Sequence, residues 1–387
     1  MDKISVNKLV EEVKSNLPRE ILVLIAQNCL NKNTDIQTTI KNFENEVYKY
    51  TLKVQKKVIN CTGTLLHTNL GRAQTDIDFN GESTNVEYDI FNNRRGKRNE
   101  FLSESMNLLL GSDDVCFVNN NASSLFITLK TLKNIYGKKT VIISRGEIIE
   151  IGGSYRLPEI IQETDLKMVE IGTTNKTKIT DYEKALKENK DSLILKVHRS
   201  NFSIDGFVEE VNLKDLKSLT ESQNSILIHD LGSGLVASKK FLEKENIDIF
   251  DDEPTVQESL TQGADLVMFS GDKLFGSLQS GIIAGDKKMI QSIKESPLFR
   301  TYRCSPLTLF ELQETTSKYV SKKEIEIPLW KMISMKYENL ENRIRSVCEN
   351  LEIKHEVVHD YSVMGGGTLP NKTIPSPVVQ ILSLIHI

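Results

Sequence analysis

A lysine that could form a Schiff base stands at position 273, between a predicted strand and a series of glycine-rich turns. The apolar run from Ala264 to Phe269 has the length of a buried strand, and Ser270-Gly-Asp-Lys273 follows it directly. Glycines come at positions 276, 281 and 285. A partly desolvated lysine keeps a useful fraction of neutral amine, and small neighbours let a flat cofactor lie against the backbone. Taken alone, the stretch also fits an ordinary loop lysine.

A carboxylate that would need a cationic partner follows a second apolar run. Asp230 comes directly after Ile226-Leu-Ile-His229 and should be partly buried. A buried carboxylate is unfavourable without a cation beside it. The pyridinium nitrogen of pyridoxal phosphate is such a cation, because an aspartate keeps it protonated and the ring then acts as an electron sink.

A turn suited to phosphate lies earlier in the chain. The apolar run from Asp114 to Asn119 ends in small polar residues, and an amphipathic helix follows. Backbone N–H groups and the positive end of a helix favour an anion at such a turn, although Asn and Ser also serve simply as N-caps. Combined with the acid and the lysine, the turn predicts a pyridoxal phosphate site. The predicted cofactor-binding residues are Lys273, Asp230, Asn121, Ala122, Ser123 and Ser270.

The elements that must position these residues alternate between apolar strands and helical segments. Polar residues and glycines recur just after the apolar runs, which is typical of an open, mostly parallel α/β sheet with a site at the carboxyl ends of its strands. We predict an aminotransferase-like (fold type I) large domain at residues 58–307 and a smaller C-terminal domain at 308–387. The other predicted strands are Thr140 to Ser144, Lys167 to Ile171 and Leu193 to Val197.

Residues 1–57 have apolar positions at helical spacing and predict a separate helical domain. They carry nine lysines and one arginine against seven acidic residues, a net +3 in a chain whose total is −4. A solvated helical surface and a docking module for an anionic partner both fit this bias. The chain as a whole is too evenly charged to wrap nucleic acid, so such a partner must be met by a local patch.

Composition excludes several classes of protein. The five cysteines are scattered without a CxxC pair, which argues against a disulfide framework or zinc cluster, and we predict no metal site. No apolar run approaches membrane-spanning length, and the first residues lack the apolar core of a signal peptide. We therefore expect a cytoplasmic protein with no membrane partner.

Arginines supply candidate anion-binding groups outside the phosphate turn. Arg72 lies in a polar entry loop and could bind an anion through two parallel hydrogen bonds, although a surface salt bridge is equally consistent. Arg300 and Arg303 are three residues apart and would share one face of a helix. The basic run from Arg94 to Arg98 fits either a solvated surface or phosphate binding.

At the level of motifs, the sequence resembles the bacterial selenocysteine synthase family, the L-seryl-tRNA(Sec) selenium transferases. The resemblance runs in family order from about residue 58 to 370, and the N-terminal helical unit fits a part of the family that contacts tRNA. The matching stretches are Ile59-Asn-Cys-Thr-Gly, Leu66-His-Thr-Asn-Leu-Gly-Arg-Ala73, Val118-Asn-Asn-Asn-Ala122, Ser144-Arg-Gly-Glu-Ile-Ile-Glu-Ile-Gly-Gly-Ser154, Glu170-Ile-Gly-Thr-Thr-Asn175, Asp230-Leu-Gly-Ser-Gly234, Glu253-Pro-Thr-Val256, Phe269-Ser-Gly-Asp-Lys-Leu274 and Gly365-Gly-Gly-Thr-Leu-Pro370.

The resemblance implies a β-replacement on an aminoacyl-tRNA. Lys273 would hold pyridoxal phosphate and take the Cα proton, and Asp230 would pair with the ring nitrogen. The seryl hydroxyl would leave by β-elimination, and selenium from selenophosphate would add to a bound aminoacrylate to give L-selenocysteinyl-tRNA(Sec). The family also implies a homo-oligomer, a ring of dimers with sites between subunits.

Other residue roles follow from the same resemblance. Arg72, Arg300 and Arg303 would hold the anionic selenium donor or the phosphate that it leaves. Asp272, beside the lysine, would be catalytic, orienting groups or helping to protonate.

Two further readings stay open at this point. A related pyridoxal phosphate lyase acting on a small phosphorylated amino acid or amino sugar shares the lysine region but tends to lack the N-terminal helical unit. A non-catalytic product would be favoured by loss of Lys273 or Asp230, and both are present. The C-terminus departs from the family: the small domain is expected to be truncated, and residues 382–387 read as the translation of a transposon end used in sequencing libraries, an artefactual tail.

Overall fold

A computed structural model of the chain describes residues 4–32, 34–79, 81, 83–151, 155–204, 206–349, 354–365 and 368–381. The chain divides into two units, Met1–Cys61 and Thr62–Ile387. The domain boundaries after residues 57 and 307 stay predictions, and the expected tail at 382–387 lies outside the described residues.

The N-terminal unit contains three helices, α1 (Val6–Glu12), α2 (Arg19–Leu30) and α3 (Ile36–Lys53). Ser5 caps α1 and Asp35 caps α3, each by accepting a hydrogen bond from a backbone N–H in the first turn. The helices bury their apolar stripes against one another, which gives this unit its own core. Its buried apolar residues are Ile4, Leu9, Val10, Leu22, Ile25, Ala26, Cys29, Phe43 and Val47.

The second unit is an α/β structure around a seven-stranded sheet. Its strands are β1 (Tyr88–Asp89), β2 (Arg94–Arg95), β3 (Asp114–Val118), β4 (Thr140–Ser144), β5 (Glu150–Ile151), β6 (Tyr155–Arg156), β7 (Lys167–Ile171), β8 (Ser192–Val197), β9 (Ile226–Gly232), β10 (Leu266–Ser270), β11 (Gly281–Gly285), β12 (His355–Val363) and β13 (Thr373–Ile381). Its helices are α4 (Glu100–Leu110), α5 (Asn121–Tyr136), α6 (Leu157–Glu163), α7 (Ile179–Glu188), α8 (Leu213–Ser222), α9 (Lys239–Lys244), α10 (Val256–Thr261), α11 (Lys287–Glu295), α12 (Pro306–Val320), α13 (Pro328–Ile333) and α14 (Tyr337–Cys348).

The central sheet has the order β3-β11-β10-β9-β8-β4-β7. Only β11 runs antiparallel to its neighbours, and the pairs from β10 through β9, β8 and β4 to β7 are parallel. The mostly parallel sheet predicted from the alternation of strands and helices is therefore present. Because the parallel strands share one direction, their carboxyl ends lie along a single edge.

Residues along the strands alternate between apolar clusters on the two faces of the sheet. Val267 and Phe269 of β10 belong to one apolar cluster, and Leu266 and Met268 belong to the other. This period of two on a strand buried on both faces explains why β10 reads as a continuous apolar run.

Helices and the C-terminal hairpin support the segment around Lys273. Trp330 of α13 is fully buried and donates a 2.6 Å hydrogen bond to the Tyr319 hydroxyl, which in turn donates to the Phe275 carbonyl at 3.0 Å. The end of β12 runs beside the entry loop, where the Leu66 N–H donates to the Met364 carbonyl at 2.7 Å. No helix in the described ranges is both long and apolar enough to cross a bilayer.

Candidate active site

A cavity of about 260 Å³ opens where the carboxyl ends of β3, β8, β9 and β10 meet. Six of the residues predicted from the sequence border it. They are Arg72, Asn121, Ala122, Asp230, Ser270 and Lys273. Residues from positions 72 to 279 thus converge on one site because parallel strands deliver their following loops to one edge of the sheet.

Lys273 is buried, with 5% of its surface exposed. It begins a tight turn in which the Gly276 N–H donates to the Lys273 carbonyl, and Gly276 has a φ of +77°, which favours glycine. Burial, and after it the neighbouring Arg72 charge, lower the pKa of Lys273 to about 8 against the opposing effect of nearby carboxylates. Among the described residues no carboxylate forms an ion pair with its ammonium group. A substantial fraction is therefore neutral amine near physiological pH.

Asp230 lies inside β9 and not directly after it as expected from the sequence, because the strand continues to Gly232. Its Oδ1 accepts a 2.9 Å hydrogen bond from the Asn121 side chain. Burial raises the pKa of Asp230 to about 6, while the bond from Asn121 and the charge of Lys273 act in the opposite direction. A carboxylate held in this way attracts a proton or a cation from a ligand.

The predicted phosphate turn is the start of α5. Asn120 caps the helix by accepting hydrogen bonds from the N–H and the hydroxyl of Ser123. Ser123 therefore uses its hydroxyl in the cap and does not border the cavity, whereas Asn121 and Ala122 do. The first N–H groups of a helix have no partner within it, so those of Asn121 and Ala122 can meet an anion.

Gly281 of β11 allows this helix to begin so close to the sheet. A Cβ at this position would lie 2.2 Å from both the Asn120 carbonyl oxygen and the Ser124 hydroxyl. Real Cβ contacts are not that short, so any larger residue would push α5 outward.

The residues around the cavity fit pyridoxal phosphate. Gly232 has a φ of +69°, and a Cβ there would lie 3.9 Å from Asp230 Oδ1 and 4.0 Å from Lys273 Nζ, in the space between the acid and the amine. Among the described residues, Asn121 Oδ1 is buried without a hydrogen-bond partner. An open space between a buried acid and a buried amine, with a helix N-terminus beside it, suits a flat, anionic, carbonyl-bearing cofactor.

Asp272 does not border the cavity but binds a residue that does. Its Oδ2 accepts a 2.9 Å charged hydrogen bond from Arg72, and its carbonyl accepts from the Ala73 N–H at 3.1 Å. Asp272 thereby fixes the entry loop and the Arg72 guanidinium against the lysine segment. The alternative that Arg72 makes a purely surface salt bridge does not hold, because only 6% of the Asp272 side chain is exposed.

Arg300 and Arg303 are not among the residues that border the cavity in this chain. Arg300 is exposed in a short 3-10 helix, Pro297–Tyr302, and Arg303 follows that helix and pairs with Glu87 at 3.4 Å. Their roles as anion-binding residues stay predictions.

The structure adds residues that sequence reasoning did not assign. His198, Ser200 and Asn201 border the cavity from the loop after β8. His198 Nε2 lies 2.9 Å from Glu253 Oε2. The signal that could have found these residues was present, since they are polar residues directly after an apolar strand. The others are Asn120, Ile149, Tyr155, Val197, Gly232 and Gln279.

Comparison with known proteins identifies the family. The family model for L-seryl-tRNA selenium transferase matches residues 58–385. The chain belongs to the L-seryl-tRNA selenium transferase family. This membership confirms the resemblance that the motifs indicated.

Relatives named L-seryl-tRNA(Sec) selenium transferase match nearly the whole chain. The protein from Aliarcobacter butzleri is 39% identical, with 97% of this chain and 85% of that protein covered. Those from Campylobacter lari and Alkaliphilus oremlandii are 38% and 37% identical, over 92% and 98% of this chain and 81% of each relative. The matches to the proteins from Aliarcobacter butzleri and Alkaliphilus oremlandii therefore extend beyond residues 58–385 into the N-terminal helices.

One solved structure confirms the predicted fold class. The structure of D-glucosaminate-6-phosphate ammonia-lyase superposes with a TM-score of 0.58 at 17% identity, covering 86% of this chain and 82% of that one. At this identity the likeness shows the α/β fold of the selenium transferase chain and carries nothing about its substrate.

Proposed function

We propose that this chain converts L-seryl-tRNA(Sec) to L-selenocysteinyl-tRNA(Sec), with selenophosphate as the selenium donor and pyridoxal phosphate as the cofactor. The observation that carries the proposal is the family match over residues 58–385, together with a buried lysine of lowered pKa opposite a buried acid. The reaction is a β-replacement, in which the seryl hydroxyl leaves and selenium adds to the same carbon.

Residues on three elements would hold the cofactor. Lys273 would carry it through Nζ, Asp230 would pair with the ring nitrogen, and the N–H groups at the start of α5 would bind its phosphate. When bound, the cofactor supplies the electron sink that makes the Cα–H bond of the seryl group acidic. Gly232 leaves the space that the ring would need.

Lys273 would also move the proton. A lysine whose pKa lies at about 8 is close to the operating pH, which is where a general base is most effective. Its Nζ would accept the Cα proton during elimination and return it during addition. Burial keeps bulk water from competing for that proton.

Arg72 would bind the anionic selenium donor. Its guanidinium borders the cavity and is oriented by Asp272. The direction of its N–H groups is therefore fixed before the selenium compound binds. Arg300 and Arg303 would join it, as the resemblance implies. In this assignment Asp272 is a positioning residue, which replaces the catalytic role expected from the sequence.

The N-terminal unit would contact the tRNA. Its net charge of +3 through residue 57 supplies the electrostatic attraction to a phosphate backbone, and such binding weakens steeply with salt. A homo-oligomer in the cytoplasm is part of the same proposal.

The test is a single-turnover assay with purified protein, pyridoxal phosphate, seryl-tRNA(Sec) and selenophosphate. Selenocysteinyl-tRNA should form with wild-type protein and fall to background with Lys273→Ala. A protein that turns yellow with the cofactor but neither binds tRNA nor forms product would sink the proposal. That outcome would favour a lyase acting on a small phosphorylated amino acid or amino sugar.

A further inference from the structure

The proposed elimination needs an acid that none of the residues assigned so far supplies. When the Cβ–O bond breaks, the oxygen leaves with its electron pair and requires a proton to become water. Lys273 takes the Cα proton in the same step, and the Asp272 carboxylate is bound to Arg72 outside the cavity. Asp230 is assigned to the ring nitrogen of the cofactor.

We propose that His198, held by Glu253, is the acid that protonates the departing seryl hydroxyl. His198 borders the cavity from the loop after β8, with 23% of its side chain exposed. Its Nε2 contacts Glu253 Oε2 at 2.9 Å. The two ring nitrogens point in divergent directions, so one ring can bind Glu253 and still reach a group in the cavity. This inference rests on the proposed function.

Glu253 has the properties of a residue that orients a histidine. Only 3% of its side chain is exposed, and its other oxygen, Oε1, has no hydrogen-bond partner among the described residues. A buried carboxylate needs a hydrogen-bond donor, and its contact with Nε2 fixes the orientation of the His198 ring. Glu253 belongs to the Glu253-Pro-Thr-Val256 stretch, to which the cofactor site assigns no role.

Glu253 also borders a second cavity, of about 490 Å³. Glu243, Asp248 and Asp251 line the same cavity, which makes it acidic. The His198–Glu253 pair therefore lies between the cofactor cavity and a second opening.

The proton balance closes over the whole reaction. In elimination the Cα–H electrons form the Cα–Cβ double bond, the Cα proton goes to Lys273, and the His198 proton leaves with oxygen as water. In addition the selenium–hydrogen proton of the donor goes to His198, selenium bonds to Cβ, and Lys273 returns its proton to Cα. Water then cleaves the selenium–phosphorus bond, releasing phosphate. Both side chains end in their starting states.

The test compares two leaving groups on the holoenzyme. Seryl-tRNA(Sec) needs a proton for its hydroxyl, whereas β-chloroalanyl-tRNA(Sec) loses chloride without one. We expect His198→Gln to slow Cβ–O cleavage by roughly 10²–10⁴-fold, the range that a general acid contributes, and chloride loss by less than about threefold. Exchange of the Cα proton with D2O should persist, because Lys273 performs it.

Two controls separate chemistry from structure. Glu253→Gln should slow cleavage of the seryl substrate by about tenfold, whereas Glu210→Gln, which removes a carboxylate bonded to Lys196 and Arg199 instead, should change it by less than about threefold. Pyridoxal phosphate affinity and the unfolding temperature of His198→Gln should match the wild type.

Three results would overturn the assignment. Equal losses with both leaving groups, or a drop in cofactor affinity that accounts for the loss, would make His198 a structural residue. If the wild-type protein eliminates neither group and exchanges no Cα proton, both the His198 assignment and the proposed function are wrong.

Discussion

Two buried lysines in the same sheet have opposite electrostatic environments. Lys196 lies within β8 and contacts Glu147 at 2.5 Å and Glu210 at 2.9 Å. Burial alone would lower the pKa of Lys196, but the two carboxylates outweigh burial and raise it. Lys273, which follows β10, is buried to a comparable extent, and its pKa falls to about 8.

The difference between the pKa shifts of the two lysines depends on which group the neighbouring carboxylate binds. Glu147 is buried and accepts hydrogen bonds from both Lys196 and the Val197 N–H, so the lysine and the carboxylate form a buried ionic cluster. The carboxylate nearest to Lys273 in sequence, Asp272, binds Arg72 instead. A carboxylate partner makes a buried lysine a structural cation, and diverting that partner leaves a reactive amine.

The largest stability effect is expected at Lys196. Lys196→Met would leave the Glu147 carboxylate buried without a cation, which should lower the free energy of unfolding by about 3–5 kcal/mol. Urea unfolding measures the change. Lys139→Met is the matched control, because Lys139 and Asp191 are both exposed and such pairs contribute less than about 1 kcal/mol. Equal losses in both variants would contradict the comparison.

Substitution of Lys273 should change the free energy of unfolding in the opposite direction from substitution of Lys196. Its pKa is near 10.5 in an unfolded chain and about 8 in the fold, so the protonated amine destabilises the cofactor-free protein below pH 8. The penalty disappears as the pH rises above 10.5. Lys273→Met should therefore raise the unfolding free energy by about 1–3 kcal/mol at pH 7 while abolishing selenium transfer. A destabilised Lys273→Met protein would show that the lysine is stably paired.

Asp230 should behave as a second destabilising group in the cofactor-free protein. Burial raises its pKa from 3.8 to about 6, so its ionisation costs stability as the pH rises through that window. Asp230→Asn should stabilise the empty protein by about 1–2 kcal/mol at pH 8 and weaken pyridoxal phosphate binding. Thermal unfolding at pH 5 and pH 8, with and without cofactor, separates the two effects. A variant that is less stable at both values would refute the assignment.

The smallest effect is expected from Arg72→Gln. Removing this guanidinium takes away a charge that lowers the Lys273 pKa and frees Asp272 to pair with the lysine. The pH at which cofactor uptake is half-maximal should move upward from about 8 by roughly one unit. The rise of visible absorbance after mixing with pyridoxal phosphate, followed at a series of pH values, measures cofactor uptake. Arg145→Gln, at an exposed pair with Glu170, should leave the profile unchanged.

Local patterns in the sequence predicted the sheet and the residues at its edge. Apolar runs in the sequence end at or just before Asp230, Lys273 and Asn121. Because these runs form strands of one mostly parallel sheet, the three residues meet at the carboxyl edge of that sheet. The apolar run that predicted β8 contains Lys196, and nothing local to that run indicates that its ammonium group meets Glu147.

Contacts between distant segments could not be predicted in the same way. Arg72 and Asp272 are 200 positions apart, and His198 and Glu253 are 55 apart. Such pairs depend on how loops from different strands pack, and an arginine or glutamate in a loop has the same local signature whether it faces solvent or a partner. Local spacing can also mislead. It predicted that Arg300 and Arg303 share one face of a helix, but the 3-10 helix ends at Tyr302, before Arg303.

Gly281 sets how much sequence change the phosphate turn can accept. Even one methyl group there would meet the Asn120 carbonyl and the Ser124 hydroxyl, so the distance between sheet and helix leaves no room for alanine. In a saturation mutagenesis screen, position 281 should tolerate no replacement, although its residue has no side chain and performs no chemistry. Engineered variants with a different cofactor preference would therefore have to be sought in the residues of α5 itself, with this glycine left as it is.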